Sequence, residues 1–180
     1  MIIAKYTPKW AEDFLQIKTE LEKVLGQSKY TIEHIGSTAV PNLDAKPIID
    51  IDIIFSATEH DFETIKKSLE LLGYFHNGNQ GIEDREVFKR NGLISNVILD
   101  KIPHHLYVCP SDSKELERHI LSRNHLKTNQ RAKDFYQKMK YELAEKANQD
   151  RKIYTNLKEA ALKDFFDTII SEERKTIGYQ

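Results

Sequence analysis

The chain has 180 residues, 39% of them apolar and 31% charged, with a formal net charge of −1. That length fits one domain with long charged helices, and the balanced charge gives no global pull toward nucleic acid or an anionic membrane. A single cysteine, Cys109, excludes an internal disulfide and any cysteine-based zinc motif; no stretch has the apolar core of a signal peptide or the ~18 apolar residues of a membrane span, so a cytoplasmic protein without membrane contact is expected.

Pro8 to Leu25 reads as an opening amphipathic helix, with Trp10, Phe14, Ile17, Leu21 and Leu25 at helical spacing and Gly26 as its stop. Tyr30 to Ile35 is a short strand. Gly36-Ser37-Thr38-Ala39-Val40 then breaks periodicity, and Pro41-Asn42 marks a turn. Ile48 to Phe55 is β-branched and apolar apart from Asp50 and Asp52, so it reads as a buried strand. Residues i and i+2 of a strand share a face, which sets the two aspartates side by side. Buried carboxylates are costly without a counter-charge, and a divalent cation with a taste for hard oxygen ligands is the natural one.

Glu59 to Leu72 is helical and Gly73 ends it; Tyr74-Phe75 starts another strand and residues 77–81 form a loop. Arg85 to Lys89 and Leu93 to Leu99 are expected to be strands, joined as a hairpin through Arg90-Asn91-Gly92. His104 to Cys109 is a further strand. Ser111-Asp112-Ser113 can cap a helix to about Leu126, followed by helices over 129–147 and 153–170 and a polar tail, 171–180, expected to fray. The order argues for an α+β (mixed α/β) fold, helices packed around one sheet. The Lys/Glu-rich stretch from Lys138 to Lys163 reads as a solvated helix face, and no basic surface interleaved with aromatics speaks for nucleic acid.

Gly36-Ser37 followed about 14 residues later by Asp50-x-Asp52 resembles the signature of the nucleotidyltransferase superfamily. Glycine lets backbone approach a phosphate, serine can bond it, and paired aspartates hold the metal that bridges triphosphate oxygens. Across most of its length the chain looks like the GrpB-like family, members of which occur alone or fused to dephospho-CoA kinase. The likeness rests on His34-Ile35-Gly36-Ser37-Thr38-Ala39-Val40-Pro41, on Ala45-Lys46-Pro47-Ile48-Ile49-Asp50-Ile51-Asp52, on His105-Leu106-Tyr107-Val108-Cys109, and on Arg118-His119 with Arg123.

The resemblance implies a single nucleotidyltransferase-like domain over residues 1–170, helical from about 111. It implies a metal held by Asp50, Asp52 and His105, and a nucleotide or phosphorylated small molecule held by Gly36, Ser37, Lys46, Arg85, His119 and Arg123. One departure stands out: the third carboxylate of active nucleotidyltransferases is replaced by His104 or His105. Mg²⁺ or Mn²⁺ suits the aspartates, and the imidazole admits Zn²⁺ or a general base instead. A non-catalytic module that binds a ligand or metal is the alternative. Cys109 reads as a buried structural thiol and His34 as a structural histidine.

Overall fold

A computed structural model describes residues 2–26, 30–56 and 61–178. Five strands form one sheet: β1 (Thr31–Ile35), β2 (Ile49–Phe55), β3 (Tyr74–His76), β4 (Glu86–Arg90) and β5 (His104–Pro110), in the order β1-β2-β5-β4-β3. Only the central pair, β2 and β5, runs parallel; the other three pairings are antiparallel. This is an α+β architecture, and its one parallel pair is what builds the site.

Strand alternation splits β2 cleanly. Ile49, Ile51 and Ile53 point to one face and are at most 2% exposed. They pack with Trp10, Ile17 and Leu21 of α1 (Lys9–Leu25), with Ile65 and Leu69 of α2 (Asp61–Glu70), and with Leu99 of α3 (Val97–Lys101). Burying such aliphatic chains is worth roughly 2 kcal/mol each, so this face anchors the sheet. Asp50 and Asp52 point to the opposite face, toward α4 (Lys114–Thr128).

The second core lies on that side. Leu126 of α4 joins Tyr136 and Leu143 of α5 (Gln130–Lys146), Leu162 and Ile169 of α6 (Arg151–Ile177), and Ile2, Ile3, Val40 and Leu43 from the N-terminal part of the chain. Each helix opens on a side-chain cap: Ser113 accepts from Leu116 N, Asn129 from Ala132 N and Asp150 from Ile153 N. Each cap satisfies a backbone donor that the helix itself cannot. Among the described residues no helix is long and apolar enough to cross a membrane.

Two expectations are corrected. Leu93 to Leu99 is no strand: β4 ends at Arg90, and α3 follows after Asn96 caps Ile98 N and Leu99 N. The apolar residues there do not alternate in burial, since Leu93 and Val97 are 84% and 78% exposed while Leu99 is buried. Arg90 secures the segment instead, donating to Leu72 O, Ile94 O and Asp100. The polar tail is also not separate, because α6 runs on to Ile177 and Arg174 pairs with Glu117 of α4. Glu59 and His60, placed at the start of the second helix from sequence, lie outside the described residues.

Candidate functional site

The β2–β5 register puts Asp50 beside His105 and Asp52 beside Tyr107, all four on the face opposite the aliphatic core. They sit at and beneath the floor of a cleft of about 560 Å³ between the sheet and helices α4, α5 and α6. Gly36, Ser37, Lys46, Asp50, Arg85 and His105 line this cleft, as do His119 and Arg123. Asp52 lies just below it, with no exposed surface. Residues scattered over some 90 positions of sequence therefore meet in one place.

Gly36 is there for a steric reason. Its φ of 71° suits glycine, and a Cβ would come within 2.5 Å of Asp50 Oδ2. The loop thus lies directly against the carboxylate. Ser37 Oγ is 3.2 Å from the Tyr136 hydroxyl, which ties this loop to α5. His34, near the end of β1, stacks on Phe14 and bonds Thr38 Oγ1; burial depresses its pKa to about 4. It is a packed neutral imidazole, outside the lining of the cleft.

His105 Nδ1 lies 2.8 Å from Asp50 Oδ1. The ring is half-exposed, and its other nitrogen remains available at the cleft. Asp52 is held differently. Its Oδ2 is 2.8 Å from His119 Nδ1, and the other nitrogen of that ring is 3.3 Å from Glu115 Oε1. Burial works against charge on His119, but bonds to two carboxylates prevail and lift its pKa to about 9. Burial likewise pushes the Asp52 carboxyl up, against the pull of His119, so the pair keeps a proton at neutral pH. Asp52 Oδ1 is buried without a hydrogen-bond partner. An orphaned carboxylate oxygen of this kind costs free energy and suits a hard cation.

Arg85 and Arg123 line the cleft, and Arg123 serves an internal acid, whereas the Nε of Arg85 is buried without a hydrogen-bond partner. Arg123 Nη1 is 2.5 Å from Glu33 Oε2 and donates to His34 O. The Arg85 guanidinium lies 4.8 Å over the Tyr107 ring and 3.9 Å from Glu115. Among the described residues, no three His, Cys, Asp or Glu side chains converge as a metal-binding group. Asp50 and Asp52 are the carboxylates here that could hold a metal. Cys109 is fully buried and burial pushes its thiol pKa far up, which makes it an inert structural residue.

The far wall of the cleft was not foreseen. Tyr136 and Lys140 of α5, and Tyr154, Lys158 and Leu162 of α6, complete the lining. Lys140 is 2% exposed, which corrects the reading of Lys138 to Lys163 as wholly solvated. A signal existed: Ala132, Tyr136, Leu143 and Ala147 form an apolar stripe at helical spacing, and Lys140 interrupts it.

Residues 1–168 match the family described as GrpB protein. The glutamate-rich protein GrpB of Alkalihalophilus pseudofirmus is 30% identical over 172 residues, covering 96% of this chain and 95% of that protein. UPF0157 protein YqkA of Bacillus subtilis is 34% identical over 142 residues, but the match covers 79% of this chain and only 39% of that longer relative. Among solved structures, the conserved protein GrpB from Enterococcus faecalis superposes with a TM-score of 0.77 at 28% identity, covering 98% of this chain and 99% of that one. The Cid1 poly(U) polymerase, solved with MgGTP bound, superposes with a TM-score of 0.57 at 14% identity, over 79% of this chain and 44% of that one, a likeness of fold alone.

Proposed function

The chain belongs to the GrpB family, and from that premise and the geometry of the cleft we propose a nucleotidyltransferase-type protein that binds a nucleotide or phosphorylated small molecule together with a divalent cation. The observation that carries this reading is the Asp50–Asp52 floor, set by the parallel register with β5 and pressed against the Gly36–Ser37 loop. Asp50 and the orphaned Oδ1 of Asp52 would hold Mg²⁺ or Mn²⁺. Such a cation would supply positive charge against the negative charge that builds on a phosphoryl group during transfer. His105 fixes one oxygen of Asp50 and presents its second nitrogen to the cleft, where it can take a proton from an attacking hydroxyl. His119 and Glu115 hold Asp52 from beneath.

A second reading is a binding module without turnover. It is favoured by the absence of a carboxylate on β5 facing the two aspartates, where His105 and Tyr107 stand. A panel of nucleoside triphosphates and small hydroxyl acceptors with Mg²⁺, Mn²⁺ and Zn²⁺, read by mass spectrometry and thermal shift, separates the two. Transfer is expected in the wild type and abolished in Asp50→Asn at an unchanged fold. Ligand-dependent stabilisation without product selects the binding module. No stabilisation by any metal or nucleotide would contradict both.

A further inference from the structure

The cations named as phosphate ligands from sequence are largely committed to the protein's own acids. Arg123 is paired with Glu33, His119 lies between Asp52 and Glu115, and Arg85 leans toward Glu115 over Tyr107. The opposite lip, built from the β1–β2 loop and helices α5 and α6, is a different environment.

Lys46 makes no hydrogen bond or ion pair among the described residues, although it lines the cleft and feels the field of Asp50. The Lys140 ammonium donates to the backbone carbonyl of Asp44 and sits 4.5 Å over the Tyr136 ring, with no carboxylate in ion-pair contact among the described residues. The nearby Asp44 carboxylate is already taken by Lys5, Tyr6 N and the Tyr141 hydroxyl. Lys158 on α6 also lines the cleft and acts electrostatically on both other lysines. Burial comes first in lowering the pKa of Lys46, followed by repulsion from Arg151 and Lys158. Lys140 falls to about 7 through burial and then Lys158, against the pull of Asp44. Like charges gathered on one partly desolvated wall repel, and an anion removes that penalty.

The geometry points to an anion subsite formed by Lys46, Lys140 and Lys158 on this lip, which takes a phosphate-type oxyanion of the ligand. It shares its cleft with the proposed cation site but requires neither the cation nor turnover. A cleft of about 560 Å³ accommodates one ligand of drug-like size, in keeping with a small phosphorylated molecule. The oxyanion can be the polyphosphate tail of a nucleotide or the phosphate of a second small molecule.

Calorimetric titration with pyrophosphate, without metal and at pH 6.5, tests the subsite. Lys46→Ala and Lys158→Ala, at half-buried positions, carry the comparison; Lys140→Met is added, and the folding of all three is checked by circular dichroism. Each is expected to weaken binding about tenfold, the loss of one charge-assisted contact. Lys138→Ala, at an exposed position of α5 outside the cleft lining, is the control and is expected to bind metal-free pyrophosphate as wild type does. Binding unchanged in both Lys46→Ala and Lys158→Ala, or no binding by wild type at millimolar pyrophosphate, overturns the subsite. Metal-dependent nucleotide binding that survives this failure leaves the proposed function standing. Competition between pyrophosphate and a non-hydrolysable nucleotide assigns the subsite to the nucleotide tail, and simultaneous binding assigns it to a second molecule; either result supports the subsite.

Discussion

The two faces of the sheet obey different rules. Beneath α1, α2 and α3 the sheet presents Ile49, Ile51 and Ile53 to an aliphatic core, and shape alone holds that side together. Beneath α4 it presents Asp50, Asp52, His105 and Tyr107, and nearly every polar group there is fixed by a specific partner. The first face stabilises, and the second spends part of that stability. A buried carboxylate with an orphaned oxygen, a protonated histidine and a lysine with a depressed pKa all carry a cost of burial. Sites of this kind persist where function requires them.

Breaking the aliphatic face alone gives the largest expected effect. Ile51→Ala, at a fully buried position, should cost about 2–5 kcal/mol in urea unfolding while leaving ligand affinity in the cleft unchanged at temperatures where the protein stays folded. Comparable stability loss together with lost binding would show that the two faces are not separable.

Acid should expose the next difference. The folded-state pKa of His34, about 4, lies below its unfolded value of about 6.5, so the unfolded chain binds the extra proton more readily. Its contribution is fully present above pH 6.5 and is lost as pH falls toward 4, an effect of up to about 3 kcal/mol. His34→Phe keeps an aromatic ring against Phe14 and cannot protonate, and should flatten that part of the pH–stability curve.

Gly36→Ala targets the contact between loop and carboxylate. Strain at a φ of 71° and the approach to Asp50 Oδ2 should cost about 1–3 kcal/mol, and the loop must move off Asp50 to relieve it. Cation affinity should therefore fall along with stability, a coupling that Ile51→Ala should not show. Tyr136→Phe removes only the hydroxyl that meets Ser37, at an expected cost of about 1 kcal/mol in thermal unfolding.

The anion lip offers a pH test of ligand binding. Lys140 faces Lys158 from α6, Asp44 from the β1–β2 loop and the Tyr136 ring of its own helix. It loses its charge as pH rises through about 7, so sulfate, whose own charge is constant in this range, should bind more weakly at pH 8.5 than at pH 6. Lys140→Met should remove most of that dependence.

How legible each face was in the sequence follows from its physics. Strand alternation is local, so Asp50 and Asp52 could be placed on one face from four residues of pattern, and the Gly36–Ser37 loop from its broken periodicity. Helix ends at Gly26 and Ser113 were readable because caps are local too. The hairpin expected at Arg90-Asn91-Gly92 failed because Asn96 and the Arg90 network, rather than the turn residues, decide the path of the chain there. The lysine lip was hidden for another reason: Lys140 reaches the cleft through a contact with Asp44, 96 residues away, and a charged helix reads alike whether its lysines meet water or a cavity. The apolar stripe interrupted by Lys140 was the one local trace. The pairing of His119 with Asp52 spans 67 residues and left no comparable trace, although His119 was already marked for the cleft.

The central claim is that a divalent cation and a phosphorylated ligand occupy this cleft together, joined through Asp50 and Asp52. The most direct test is the dissociation constant of a non-hydrolysable nucleoside triphosphate measured with and without Mn²⁺, in wild type and in Asp50→Asn. The structure predicts binding at least about tenfold tighter with Mn²⁺ in wild type, and no such gain in Asp50→Asn. Affinity that ignores Mn²⁺ in wild type, or a gain that persists without the Asp50 carboxylate, would contradict it.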